Sequence, residues 1–417
     1  MTDARRLAVL ALTLLALAAA SARAPGIRVA SGTIAGANWP YLPGSLFPLR
    51  VNGFAPPYDT ELLGPGRLLP GATYAVPQNA RPGSAVLVAG NAAGLAAATL
   101  RIAAPPSPAR PFLVVASYDD GLFFHDLRSF SVLGALATGG VPSDVAMDAA
   151  GRVATTDTQG SALTLVTLAP WNVARAGNVP LGDEIAVDGP LRALFVTNRD
   201  TNGGGALTRV GASGGVTRVG TGETAEGVAV DERRQLVYVA NANDGTVAQV
   251  DARTMRIRKR FPAVARIFSL ALSPDGARLY GVSNQSAGSP FAAPGAVVAI
   301  ALADGRPHVV RRSAPLAFPL GIAIDATGER LFVTDEELGR IYVLDARTLR
   351  PIREPLETCA TPWKPTLDAR DGRLYVPCAR ADEVDAFDVR TMQRVAHAPF
   401  ATGGYPLAVA VWHPREK

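Results

Sequence analysis

Lysine is nearly missing from this chain of 417 residues: Lys259, Lys364 and Lys417 are the only three, so the basic side is almost wholly arginine. The arginines are dispersed. The densest run, RIRKR at residues 256–260, falls where an exposed strand is expected, with its charges toward solvent. A nucleic-acid site needs a basic face interleaved with stacking aromatics. That pattern is lacking, which argues against a nucleic-acid partner. Histidine is also scarce. His125, His308, His397 and His413 lack metal-ligand spacing and read as surface or packing residues. Beyond residue 24 no apolar run reaches the roughly 20 residues that span a bilayer, so no membrane span is expected.

The first 24 residues read as a secretory signal: Arg5 and Arg6, an apolar run over residues 7–20, then Ala22-Arg23-Ala24 with small residues at both cleavage-specifying positions. Its removal takes away three arginines and one aspartate, lowering the formal charge from +5 to +3. A periplasmic or secreted protein follows as the expectation. In such a compartment an even cysteine count favours a disulfide between Cys359 and Cys378. Two buried thiols are the other reading. No cysteine lies near the signal to carry a lipid anchor.

PPSPARP, at residues 105–111, divides the rest of the chain, because proline stiffens the backbone and removes ladder donors. Upstream, over residues 25–104, short apolar segments such as ATYAV and AVLVA alternate with Gly/Pro/Asn turns. This spacing predicts a small β-sandwich, and in pattern and size the segment resembles a bacterial immunoglobulin-like domain of the TIG kind.

Downstream, over residues 111–414, the chain repeats itself. LVYVANANDGTVAQVDARTM (residues 236–255), LFVTDEELGRIYVLDARTL (331–349) and LYVPCARADEVDAFDVRTM (374–392) share one grammar: an aromatic in a β-branched run, a polar turn, an alternating strand, and an Asp-x-Arg-Thr corner. The residue that ends each preceding apolar strand sets the register, at Asp148, Asp188, Asp231, Ser273, Asp325, Asp368 and Trp412. The spacings are 40, 43, 42, 52, 43 and 44. Periods of about 40 to 45 residues with four short strands are the propeller signature, and seven marks predict seven blades. Residue 111 opens on a second strand, whereas YPLAVAVWHP (405–414) is an inner strand with no successor, so one blade is built from both ends. An all-β seven-bladed propeller behind a small sandwich is the expected fold.

ALFVTNRD (193–200), LVYVANANDGTVAQVD (236–251) and RLFVTD (330–335) resemble the YVTN family of bacterial β-propeller repeats. The resemblance implies an exported propeller and does not imply one activity, since related folds include lactonases and electron-transfer subunits. Function has to come from a site.

In a propeller the connections into the inner strands crowd the mouth of the channel. The residues four and five places before each register mark are therefore the site candidates: Asp144, Asp183, Glu184 and Glu226 form an acidic arc, opposed by Trp363 and Lys364. Such an arc suits a polar ligand or a hard metal, and wet, polar mouths are also common in propellers that bind neither. In NRDTNG, at residues 198–203, Asn198, Asp200 and Asn202 stand where a calcium loop begins, with Gly203 sixth. Arg209 holds the twelfth position, where that loop needs glutamate, so a full EF-hand is excluded and a tight turn is the competing reading. GASGG around Ser213 and GTGETA at 220–225 mimic catalytic motifs but lack the helix those motifs open. Ser286–Ala296, SAGSPFAAPGA, is an insertion expected on the mouth face.

Two functions follow as expectations. One is a monomeric, non-catalytic binding or scaffold protein of the cell envelope that takes a protein or a small polar ligand at the mouth. The alternative is a metal-dependent, lactonase-like hydrolase in which a calcium ion at the mouth polarises an ester carbonyl.

Overall fold

The computed structural model describes residues 31–35, 39–48, 50–52, 59–69, 73–91, 94–199, 204–284, 294–302 and 305–415. The signal segment, Asp200 and Asn202 of the candidate calcium loop, and all of the insertion but its last three residues lie outside them. The chain divides into two compact units, residues 1–105 with 134–139, and residues 106–133 with 140–417.

In the first unit, Asp59–Leu63, Gly83–Asn91, Gly94–Ile102, Ser31–Ala35 and Arg50–Asn52 pair in that order, while Leu46–Pro48, Thr73–Ala75 and Arg67–Leu69 form a separate three-stranded sheet. The long central pair is a hairpin in register from Gly83↔Ile102 to Asn91↔Gly94. Tyr74 is fully buried and donates its hydroxyl to the Pro65 carbonyl at 2.5 Å. Val132–Leu136 straddles the unit boundary, and its Ala135 pairs with Tyr41 inside this unit.

The second unit is a β-propeller with six free-standing four-stranded blades. Taken in chain order, blade one covers Val145–Met147 to Trp171–Gly177. Blade two covers Gly182–Asp188 to Val216–Glu223, and blade three Ala225–Asp231 to Ile257–Pro262. Blade four runs from Ile267–Leu272 to His308–Arg312, blade five from Pro319–Ile324 to Leu356–Glu357, and blade six from Thr366–Asp368 to Phe400–Ala401. This corrects the expected seven. The strands assigned to the remaining blade do not make a free-standing sheet, because residues 134–136 of their fourth member, Val132–Leu136, belong to the first unit, where Ala135 pairs with Tyr41. The other three close the ring: the C-terminal Pro406–Trp412 pairs with Phe112–Ser117, which pairs with Gly121–Asp126.

The recurrent Asp-x-Arg-Thr corner has a physical cause. Asp251 Oδ1 accepts the Arg253 and Thr254 amides and the Thr254 hydroxyl, and Asp345 and Asp388 cap their corners through the following threonine. The next residue, Met255, Leu349 or Met392, takes a left-handed backbone, φ 55°, 55° and 57°. That costs a non-glycine residue about 1–2 kcal/mol. Each side chain is buried, which returns about 1.5–3 kcal/mol.

The propeller core lies between adjacent blades. Ala229, Tyr238, Val247 and Phe261 of blade three pack on Leu270, Leu279, Val298 and Ile300 of blade four. The second strands of blades two to six each carry an aromatic, Phe195, Tyr238, Tyr280, Phe332 and Tyr375, at most 1 % exposed.

Candidate functional site at the channel mouth

A bulge in the inner strand aims the mouth residues. Pairing with the second strand jumps from Gly182 to Ile185, from Ala225 to Val228, from Ile267 to Leu270 and from Pro319 to Ile322. The skipped residues, Asp183 and Glu184, Glu226 and Gly227, Phe268 and Ser269, Leu320 and Gly321, are freed from the ladder, as extra residues in bulges are. The threonine of the FVT motifs holds the bulges of blades two and five. Thr197 Oγ1 accepts the Glu184 amide at 3.0 Å and donates to the Glu226 carbonyl of the next blade at 2.5 Å. Thr334 likewise accepts the Gly321 amide and donates to the Trp363 carbonyl at 2.7 Å. The motif that marks the repeat thus also sets the geometry of the mouth.

The carboxylates separate into two clusters. Lower in the channel, Lys364 reaches from blade six to Asp144 of blade one at 2.7 Å and Glu184 of blade two at 3.4 Å. Asp144 also accepts the Val145 and Ile185 amides, both at 2.9 Å, and Glu184 accepts the Val228 amide at 3.1 Å. Burial, then repulsion from Asp144 and Asp183, push the Glu184 carboxyl up to about 7 against the pull of Lys364. Burial alone would lower the lysine, but attraction to Asp144 and Glu184 outweighs it and holds the ammonium above its ordinary range.

Nearer the opening, Arg199 bridges Asp183 at 3.0 Å and Glu226 at 2.7 Å. Burial, then the hydrogen bond to Asp183, push the Glu226 carboxyl up to about 10, with Arg199 pulling the other way. Arg199 was not among the expected site residues. It sits inside NRDTNG, a segment whose oxygen-bearing side chains match the start of a calcium loop, so its guanidinium carries no motif of its own.

Asp183 and Arg199 also line a cavity of about 730 Å³ whose lining is mixed. Polar Ser143, Gln159 and Glu336 stand there with apolar Phe268, Leu320, Trp363 and Leu407. Asn284 also lines it, 8 % exposed, and its Oδ1 has no hydrogen-bond partner among the described residues. Ser269 Oγ in the bulge below is likewise unpartnered. The expected residues are thus brought together around one channel, Trp363 as wall and Lys364 as cross-brace to Asp144 and Glu184, while Asp183 and Glu226 pair with Arg199.

The other candidates fare differently. Asn198 is buried, its Nδ2 donating to the Pro180 carbonyl and its Oδ1 accepting the Thr208 hydroxyl. Its amide is therefore engaged inside the blade. Ser213 is exposed in a hairpin and opens no helix. His125 is a packing residue, bonded to the Phe130 carbonyl and the Thr402 hydroxyl and lowered by burial to about 4.

Cys359 and Cys378 form a disulfide across 19 residues. The loop it closes holds Trp363 and Lys364, and the Trp363 amide donates to the Pro377 carbonyl at 2.8 Å. Closing a loop of this size stabilises by about 3 kcal/mol in the chain-entropy model. Urea unfolding of a Cys359→Ser/Cys378→Ser variant should show a loss of that order; an unchanged midpoint would contradict it.

No family model matches the chain, and no curated protein matches it. Solved structures do. A functionally unknown protein from Desulfotomaculum acetoxidans aligns at 14 % identity with a TM-score of 0.61, over 73 % of this chain and 99 % of its own. A putative 6-phosphogluconolactonase from Bacteroides fragilis aligns at 12 % identity and 0.59, over 73 % and 98 %. The periplasmic gluconolactonase PpgL of Pseudomonas aeruginosa aligns at 15 % identity and 0.60, over 73 % and 99 %. At these identities the likeness defines the class of fold, a β-propeller, and nothing finer.

Proposed function

We propose that this is an exported, non-catalytic β-propeller protein of the YVTN kind that captures a small amphipathic molecule at the channel mouth, with the N-terminal unit as an immunoglobulin-like spacer. The carrying observation is the mixed lining of the cavity, where Ser143, Asp183, Arg199, Asn284 and Glu336 offer polar groups beside Phe268, Leu320, Trp363 and Leu407. Pockets of this size with a few convergent polar groups are typical small-ligand sites. Each of the four acids is already engaged by Lys364 or Arg199. That arrangement supplies orientation more readily than a free base.

Titrating Trp363 fluorescence with a panel of hydroxylated ring compounds tests this. Saturable quenching, weakened at least about 10-fold in Phe268→Ala by loss of buried contact, is expected. No saturable change with any compound would count against the reading.

A lactonase-like hydrolase is the second reading, favoured by the folds of the lactonase neighbours. A calcium ion serving it would have to displace Lys364 or Arg199 from the acids. Calcium at about 100 times its dissociation constant would stabilise the fold by about 2.7 kcal/mol, and identical melting with calcium and with chelator would dismiss that reading.

A further inference from the structure

The outer strands of blades three and four, Ile257–Pro262 and His308–Arg312, are neighbours on the rim of the propeller. The first carries Arg258, Lys259 and Arg260, and the second Arg311 and Arg312, with Arg306 just before it. All six are exposed, and neither strand carries an acidic residue. Arg258 is ion-paired with Asp251. Lys259 donates to the Gly305 carbonyl, and Arg260 to the Gly220 carbonyl at 3.2 Å, so both tie adjacent blades together while keeping their charge. Arg306, Arg311 and Arg312 have no carboxylate partner among the described residues.

Between the arginines stand Val309 and Val310, 37 % and 45 % exposed, two of the five large hydrophobic residues that the described part leaves open to solvent. Every residue of His308–Arg312 is exposed. Cations beside protruding aliphatic side chains suit a surface that is anionic at its face and apolar just beneath. A nucleic acid would be gripped by exposed aromatics between the cations, and on these strands the one aromatic, Phe261, is 5 % exposed.

We propose that this rim docks the protein peripherally on an anionic phospholipid surface, independently of the mouth. The arginines meet headgroup phosphates and the two valines enter the boundary below them.

The test is co-sedimentation of the full chain with vesicles of equimolar phosphatidylglycerol and phosphatidylcholine, beside pure phosphatidylcholine. Binding to the anionic vesicles alone, falling with salt as screening shortens the reach of the charges, is expected. Each arginine near such a surface is worth about 1 kcal/mol, about 5-fold, so Arg306→Gln/Arg311→Gln/Arg312→Gln should weaken binding about 100-fold. A variant of equal charge loss away from this rim, Arg128→Gln/Arg347→Gln/Arg390→Gln, should bind as the wild type does. Val309→Ser/Val310→Ser should weaken binding about 10-fold through lost apolar burial. Sedimentation with neither vesicle or equally with both would overturn the proposal, as would equal losses in the two arginine variants. Unchanged binding in the valine variant, or displacement from vesicles by duplex DNA at lower concentration than by free phosphatidylglycerol, would overturn the lipid assignment in favour of a soluble polyanion. Melting curves matching the wild type would establish that the variants are folded.

Discussion

A chain cut after residue 403 should not fold cooperatively. The cut removes Pro406–Trp412, the inner strand that pairs with Phe112–Ser117 from Ser117↔Pro406 to Phe112↔Trp412. Leu407, Ala408, Val409, Ala410 and Trp412 are each at most 9 % exposed. Trp412 packs 6.3 Å from the Phe112 ring and donates its indole N–H to the Pro108 carbonyl at 2.9 Å. Burying a large apolar side chain contributes about 1.5–3 kcal/mol, so losing this strand removes an amount comparable to the whole stability of an ordinary domain, about 5–15 kcal/mol. It also bares the ladder edge of Phe112–Ser117, a template for association. Sedimentation velocity and thermal unfolding of the truncated chain decide the matter. A monomer melting like the intact protein would show that the closing strand is dispensable.

The second large effect is expected at Lys364. In Lys364→Met, Asp144 and Glu184 keep their buried positions, 3 % and 8 % exposed, and lose their cation. Breaking a buried ion pair from one side typically costs about 3–5 kcal/mol, because the remaining charge is uncompensated. The loss should depend on pH. The Glu184 carboxyl lies at about 7 in the fold against an ordinary 4.5, so the folded state binds its proton more tightly than the unfolded chain does. Its contribution to stability is therefore fullest below about 4.5 and declines as the pH rises toward 7. Lys364 lowers that carboxyl, so removing the lysine extends the decline upward. Urea midpoints should show the variant's deficit largest above pH 7 and smallest near pH 5. Asp144→Asn/Glu184→Gln in the same background should recover most of it. A deficit independent of pH, with no recovery, would mean that packing by the lysine stem matters rather than its charge.

Much of the fold could be read without coordinates because a propeller is built by local grammar. The Asp-x-Arg-Thr corner caps itself within five residues, and the second-strand aromatics Phe195, Tyr238, Tyr280 and Phe332 face the neighbouring blade at a fixed offset. Both signals recur, so the period shows. The count of separate blades did not follow from spacing, since whether a strand belongs to one sheet or is shared depends on partners distant in sequence, as Ala135 with Tyr41 shows. The same holds at the mouth. Register placed Asp144, Asp183, Glu184 and Glu226 around one channel but could not say which cation each acid meets.

The amino-acid sequence by itself determined the all-β class, the repeat and the pairing of the two ends of the repeated segment, because each rests on periodicity along the chain. The tertiary structure alone decided that Lys364 crosses the channel to Asp144, that Arg199 joins Asp183 to Glu226, and that Phe268, Asn284 and Glu336 share the lining of the mouth with them. Those are matters of side-chain reach across the ring. Residues 220 positions apart touch there, and no local pattern encodes a contact between groups that only the closure of the ring brings within hydrogen-bond distance.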